Sequence, residues 1–356
     1  LVASENGELR PWGIDSIRGA ELAVEEFNKA GGANGKMVEL HKGDSASKPE
    51  QGKSATDKLI AEGSVAILGE VASGITAQMA SSCTEKGIPI VAIGATRTDI
   101  TEKGSNNVFR VCYTDDFQGP VMAYFAYNDL GLRKVALMTD KKQPYSTGLS
   151  ESFKKTFLAL GGEIVDEQTY EGGQTQFTGQ ITNLKAKNPD GVFASGYFNE
   201  VGPIARQMFE AGMKGVKLLG GDGWDSSEIL VSGGEGILGG YFCNHYNNEE
   251  DRPEVKEFLA KWKAKYPDNP VPATTMGALA YDAAMLVCQA LKDSKAMDSK
   301  ALRDAIDNTV GFKGVSGEIT LKGNEGDPPK RALVVKLTPK GQSFAKAYEP
   351  KDITVK

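Results

Sequence analysis

Polar and aromatic residues stand directly after apolar, strand-like runs at five places: Ser73 after VAILGEVA, Gly94 to Thr96 after IPIVAI, Tyr145 after KVALMTDKKQP, Tyr197 after GVFASG and Asp222 after VKLLGG. In open α/β sheets ligands bind beyond the carboxyl ends of the strands, so residues at these exits can converge on one crevice. The stretch GEVASGIT, Gly69 to Thr76, ends its run in small residues and hydroxyls and leads into the helix-like AQMASSCTEKG. Small residues admit a ligand close to the backbone, and the amides that open a helix are unpaired donors with partial positive charge. Such a turn can hold an anion. Taken singly, each of these residues is equally well read as a turn residue or a helix cap.

Other chemistry finds little support in the residue pattern. The GKS at Gly52 to Ser54 resembles the end of a phosphate loop, but Ser47 stands where the leading glycine is needed and the triplet falls in a helical stretch. Neither GxGxxG after an early strand nor GxSxG occurs, so no dinucleotide fold or nucleophile elbow is signalled. The two histidines, His41 and His245, show no HExxH or paired His/Cys spacing, so no metal site is expected, and no catalytic constellation or cofactor site is expected either. Cys83, Cys112, Cys243 and Cys288 lie among apolar neighbours without CxxC spacing and read as buried free thiols, although one disulfide stays open as an alternative.

A net charge of -6 and a pI near 5.3 disfavour nucleic acid or an anionic membrane as partner, because phosphate binding rests on clustered Lys and Arg. A small molecule is the expected partner. No run of about 18 apolar residues is present, so no membrane insertion is expected. The opening LVASENGE reads as the tail of a first strand, short enough to pair poorly. No basic segment followed by an apolar one precedes it, so an exported protein would be represented here in processed form.

The elements that must position these residues follow from periodicity. Short β-branched runs, VAILGE, IPIVAIG, NVFRVC, KVALMTD, GVFASG and VKLLGG, alternate with segments of helical period, which predicts parallel sheets covered by helices. In SIRGAELAVEEFNKAGG, Ser16 is expected to cap a helix whose buried face is Ile17, Ala20, Val24 and Phe27, with Gly31 and Gly32 stopping it. Pro253 to about Asp293 reads as mainly helical, and GEITLKG and RALVVKL as late strands. At 356 residues the chain suggests two domains, with a division near Asp116 and more than one crossing between them.

With those landmarks in order, WGIDSIRGAELAVEEFNKAGGANGK, PIVAIGATRTDIT, VFRVCYTDDFQGP, DKKQPYSTGL and GGDGW, the sequence resembles the leucine/isoleucine/valine-binding protein family over nearly its whole length. These are type I periplasmic solute-binding subunits of ABC transporters. The resemblance implies an α/β fold of two doubly wound parallel-sheet lobes joined by a three-crossing hinge, with ligand in the cleft between. Lobe 1 is then expected at 1–116 and 247–326, and lobe 2 at 117–246 and 327–356. It further implies a monomer in the periplasm or outside the cell, soluble or lipid-anchored, with an ABC transporter permease as partner.

By the same resemblance, Ser73 holds the carboxylate of an amino acid through its hydroxyl and amide, and Gly94 and Thr96 reach its ammonium and carboxylate. Tyr145 stands near the ligand carboxylate from lobe 2, after a loop one residue longer than the family pattern, and Tyr197 lines the site from the same lobe. Asp222 receives the ammonium, Trp12 covers the ligand side chain, and Met276, with Phe198 beside it as a weaker candidate, lies in the apolar pocket. The family's disulfide is absent, since Ser47 and Ala72 occupy its two positions. Alternatives are a binder of another small carboxylate, aromatic or keto acid, a sensory domain of the same fold, and an enzyme.

Overall fold

The computed structural model describes residues 1–102, 106–294, 296 and 298–353. The chain divides into two compact units, Leu1–Thr114 with Glu250–Lys330 and Asp115–Glu249 with Arg331–Lys356, so it passes from one unit to the other three times.

The first unit opens with β1 (Val2–Ala3), α1 (Arg10–Lys29), β2 (Gly43–Asp44), α2 (Pro49–Ala61), β3 (Ile67–Leu68), α3 (Ser73–Lys86), β4 (Ile90–Ala92), α4 (Asp99–Glu102) and β5 (Val108–Arg110). Short though it is, β1 does pair, in parallel with β2, while β3, β4 and β5 form a three-stranded parallel sheet. The helix of the sequence reading begins at Arg10 rather than at Ser16. Pro11, whose fixed φ suits a first helical turn, sets that start. Ser16 is therefore interior and fully buried, and its Oγ finds no partner among the described residues. Ile17, Ala20, Val24 and Phe27 form the buried face as expected, and Gly31 and Gly32 follow the helix in left-handed conformations. The GKS triplet lies within α2, where Lys53 donates to Asp57 and Ser82.

The second unit continues with α5 (Asp115–Tyr124), β6 (Lys134–Asp140), α6 (Pro144–Ala159), β7 (Glu163–Tyr170), α7 (Thr178–Lys187), β8 (Gly191–Ala194), α8 (Phe198–Glu210), β9 (Lys217–Gly220), α9 (Glu228–Gly233) and β10 (Tyr241–Asn244). The chain returns to the first unit for α10 (Pro253–Lys265), α11 (Met276–Asp293), α12 (Ser299–Asp307) and an antiparallel pair, β11 (Phe312–Gly314) and β12 (Gly317–Ile319). It ends in the second unit with β13 (Ala332–Thr338) and β14 (Gly341–Tyr348).

Seven strands of the second unit form one sheet in the order β14-β13-β10-β9-β8-β6-β7, parallel from β7 to β10 and antiparallel at β13 and β14. Burial explains the order. Strand β8 is buried on both faces and sits centrally, whereas β7 (EIVDEQTY) and β14 (GQSFAKAY) carry exposed polar residues and take the edges. Because β6 lies between β7 and β8, the connections leaving β6 and β8 run to opposite sides, and the carboxyl ends of these two strands are where open α/β sheets bind ligands. All four cysteines are buried free thiols.

Candidate functional site

All eight site residues expected from the sequence are buried. They fall into two sets, one on each unit.

On the first unit, Ser73 opens α3 at the carboxyl end of β3, and Gly94 and Thr96 follow β4. The turn before Ser73 is not an empty anion cradle. The buried Glu70 fills part of it, its Oε2 accepting from the amides of Val71 and Ala72 at 2.8 and 2.9 Å. Its Oε1 accepts from Ser4 and Ser45 at 2.5 and 2.8 Å. Ser4, Ser45 and Glu70 follow β1, β2 and β3 in turn, so one carboxylate ties three strand exits together. Among the described residues, the donors of α3 not consumed in this way are further along, at Ser73 and Gly74, because the amides of Ile75 and Thr76 turn back to the Ala72 carbonyl.

Arg110, at the end of β5, supports the neighbouring loop. Its guanidinium is fully buried and donates to the carbonyls of Ala95, Arg97 and Thr98 at 2.7, 3.1 and 3.3 Å and to the Thr101 hydroxyl at 3.0 Å. Asp327 pairs with it at 2.6 Å. With its carbonyls gathered on this cation, the loop carrying Thr96 presents the Arg97 amide to Ser73 Oγ at 3.3 Å. The loop carrying Thr96 is thus tied to Ser73 through the Arg97 amide.

Gly94 lies against Met276, the first residue of α11: a side chain at Gly94 would meet the Met276 Sδ at 2.9 Å and Val71 at 3.0 Å. Trp12 is in the first turn of α1 and only 2% exposed. Ser47, at one position of the absent bridge, accepts from the Leu9 amide and donates to the Asn6 carbonyl, both at 3.0 Å, so hydrogen bonds secure this loop to the start of α1. Ala72, at the other position, precedes α3 as its N-cap residue without a side-chain cap.

On the second unit, Tyr145, Tyr197 and Asp222 meet. Tyr145 lies in the first turn of α6 after β6, Tyr197 immediately precedes α8 after β8, and Asp222 begins a short 3-10 turn after β9. The two tyrosine rings stack with centroids 5.2 Å apart. The Tyr145 hydroxyl donates to Asp222 Oδ1 at 2.8 Å and accepts from the Gly223 amide at 3.1 Å. Burial, reinforced by the charges of Asp222 and Asp115, pushes the Tyr145 phenol well above its usual range, so it stays a proton donor. Phe198, the weaker candidate, is buried at the start of α8.

Three residues of this cluster were not among the sequence candidates. Gln118 of α5 donates to Asp222 Oδ1 at 3.0 Å and to Asp115 Oδ1 at 2.7 Å, and its Oε1 accepts from the Asp222 amide at 3.2 Å. His245, just after β10 and fully buried, places Nε2 3.0 Å from Asp222 Oδ2. Asp115 and Gln118 stand within the landmark VFRVCYTDDFQGP, and His245 is one of only two histidines, at a strand exit like the others. Those were the available signals.

A groove of about 770 Å³ between α11 and α12 contains none of these residues. Among the described residues no group of three or more His, Cys, Asp or Glu is arranged to hold a metal ion, and no helix is long and apolar enough to cross a membrane.

Each of the two α/β units gathers buried donors and acceptors at the exits of its parallel strands. Residues 1–342 match the family model for periplasmic binding proteins, and the chain belongs to that family, which places it in an extracytoplasmic, non-enzymatic class. A Leu/Ile/Val-binding protein homolog 3 from Brucella melitensis is 32% identical over 87% of this chain and 84% of its own. The crystal structure of the branched-chain amino acid transporter substrate-binding protein LivJ from Streptococcus pneumoniae, in complex with isoleucine, is similar with a TM-score of 0.91 and 30% identity, over 98% of both chains. A solute-binding protein of R. palustris in complex with benzoate shares the fold, with a TM-score of 0.85 and 24% identity over 99% of this chain and 97% of that one.

Proposed function

We propose that this chain captures a branched-chain or similar aliphatic amino acid and delivers it to the permease of an ABC transporter. The observation that carries the reading is the chemistry around Asp222. Among the described residues this buried carboxylate accepts from a phenol, an amide and an imidazole, and from no arginine or lysine. A carboxylate offers about four lone-pair sites, so one remains, on Oδ2, for a ligand ammonium. The first unit offers the complement for a ligand carboxylate: the Ser73 hydroxyl, the opening amides of α3 and the loop resting on the Arg110 cation.

A zwitterion needs both of its charges matched, and charge-assisted hydrogen bonds strengthen as water is excluded. A few such bonds and one buried aliphatic side chain are the terms from which its affinity is built.

A second reading, a binder of aromatic or keto acids, takes its support from the benzoate complex of the same fold. Such acids lack an ammonium and gain nothing from Asp222. A thermal-shift panel of leucine, isoleucine, valine, 4-methyl-2-oxopentanoate and benzoate separates the two. At 100 times its dissociation constant a true ligand adds about 2.7 kcal/mol of stability. Stabilisation by the amino acids alone supports the proposal, and stabilisation by benzoate or the oxo acid alone replaces it with the second reading.

A further inference from the structure

We infer that His245 determines the ligand class of this protein by positioning Asp222 for an ammonium group, an inference that rests on the function proposed above. Strands β9 and β10 are adjacent and parallel, with Phe242 opposite Gly220, so the residues that follow them emerge side by side and His245 faces Asp222. Both lone pairs of Asp222 Oδ1 are taken, by Tyr145 and Gln118. On Oδ2 one is taken by His245. Because an ionised carboxylate can only accept, the imidazole in this pair carries its hydrogen on Nε2. Three donors on two oxygens fix the carboxyl plane, and the lone pair left on Oδ2 has a single direction.

The backbone of His245 is held as firmly as its ring. Its amide donates to Asn244 Oδ1 at 2.8 Å, Asn244 Nδ2 donates to Gln342 Oε1 at 2.9 Å, and Gln342 Nε2 donates to Asp225 Oδ1 at 2.5 Å. The chain of bonds runs from the end of β10 through β14 to the turn that holds Asp222. An arginine or lysine at 245 would satisfy Oδ2 equally well but would neutralise Asp222 and cancel its attraction for a cation. A histidine supplies the hydrogen bond without a permanent charge.

The test compares His245→Leu, which removes the donor, with His245→Gln, which keeps an N–H, measuring leucine and 4-methyl-2-oxopentanoate by calorimetry. His245→Leu is expected to weaken leucine binding about 10- to 100-fold, the range for a hydrogen bond to a charged group, while His245→Gln stays within about 3-fold of the wild type. Affinity for the oxo acid, where measurable, is unchanged in both. Equal loss for the two ligands, no loss of leucine, or failure of His245→Gln to restore it overturns the inference.

A second measurement serves if His245→Leu does not fold. With only two imidazoles in the chain, ¹⁵N spectra of the wild type, assigned with His41→Gln, resolve the His245 ring. Titration with leucine is expected to move its Nε2 resonance and leave His41 in place. A His245 resonance that does not respond overturns the inference. Asp222→Asn serves as the control for the underlying reading. If it retains full leucine affinity, the ammonium role of Asp222 fails; if it loses leucine while His245→Leu does not, only the role of His245 fails.

Discussion

Asp222→Asn isolates charge from shape. The asparagine carbonyl can still accept from Tyr145 and Gln118, which lie 2.8 and 3.0 Å from Oδ1. Its amide then faces His245 Nε2, and the imidazole meets it by moving its hydrogen to the other nitrogen. The hydrogen-bond count therefore changes little, and stability without ligand is expected to fall by only about 1 kcal/mol. On the proposed reading binding responds differently, because a ligand ammonium loses the carboxylate assigned to it. Truncating one partner of a buried charge pair costs about 2–4 kcal/mol, so leucine affinity should fall roughly 30- to 1000-fold. Isothermal calorimetry measures that loss, and urea denaturation without ligand measures the change in the fold. An affinity within about 3-fold of the wild type, with the denaturation midpoint unchanged, would refute the assignment of an ammonium to Asp222.

Arg110→Met leaves the carbonyls of Ala95, Arg97 and Thr98 without their buried cation, and is expected to cost about 3–5 kcal/mol in urea denaturation; a loss below about 1 kcal/mol would show that the loop does not depend on Arg110. Glu70→Gln keeps one acceptor oxygen and turns an NH2 toward either the two amides or the two hydroxyls, so about 1–3 kcal/mol of stability should go and leucine affinity should drop with it, while an unaltered calorimetric titration counts against its role in shaping the Ser73 turn. Burial pushes the thiols of Cys83 and Cys288 up to about 12, so they remain protonated in the native protein from pH 7 to 9, and Ellman's reagent should find them silent there and reactive in urea; native labelling that grows with pH at either cysteine contradicts this. With Trp224 and Trp262 replaced by phenylalanine, leucine should change the emission of Trp12, and a flat fluorescence titration would remove Trp12 from the proposed pocket.

How far the sequence could be read is visible at individual residues. The runs IPIVAIG, NVFRVC, KVALMTD, GVFASG and VKLLGG each contain the strand expected, because a strand buried on both faces needs an uninterrupted β-branched or apolar run. Ser16 has the residue type of a helix cap but lies inside α1, since a serine caps only where the preceding residues are not already helical. Pro11 was the stronger signal. At GEVASGIT the composition pointed to open amides, yet Glu70, quoted within the same stretch, turns back and takes two of them. A side chain's choice between solvent, ligand and its own backbone is not written in spacing.

Composition and periodicity by themselves determined the class of fold and the strand exits at which Ser73, Thr96, Tyr145, Tyr197 and Asp222 stand. These follow from local rules, in which each residue answers to neighbours a few positions away. Tertiary structure alone decided which exits meet. Gln118 reaches Asp222 across 104 positions and Tyr145 reaches it across 77, contacts that exist only because β6, β8, β9 and β10 lie in that order in one sheet. The partners of Asp222, the cation beneath Thr96 and the carboxylate before Ser73 all depend on strand order, and strand order is a property of the assembled core rather than of any single segment.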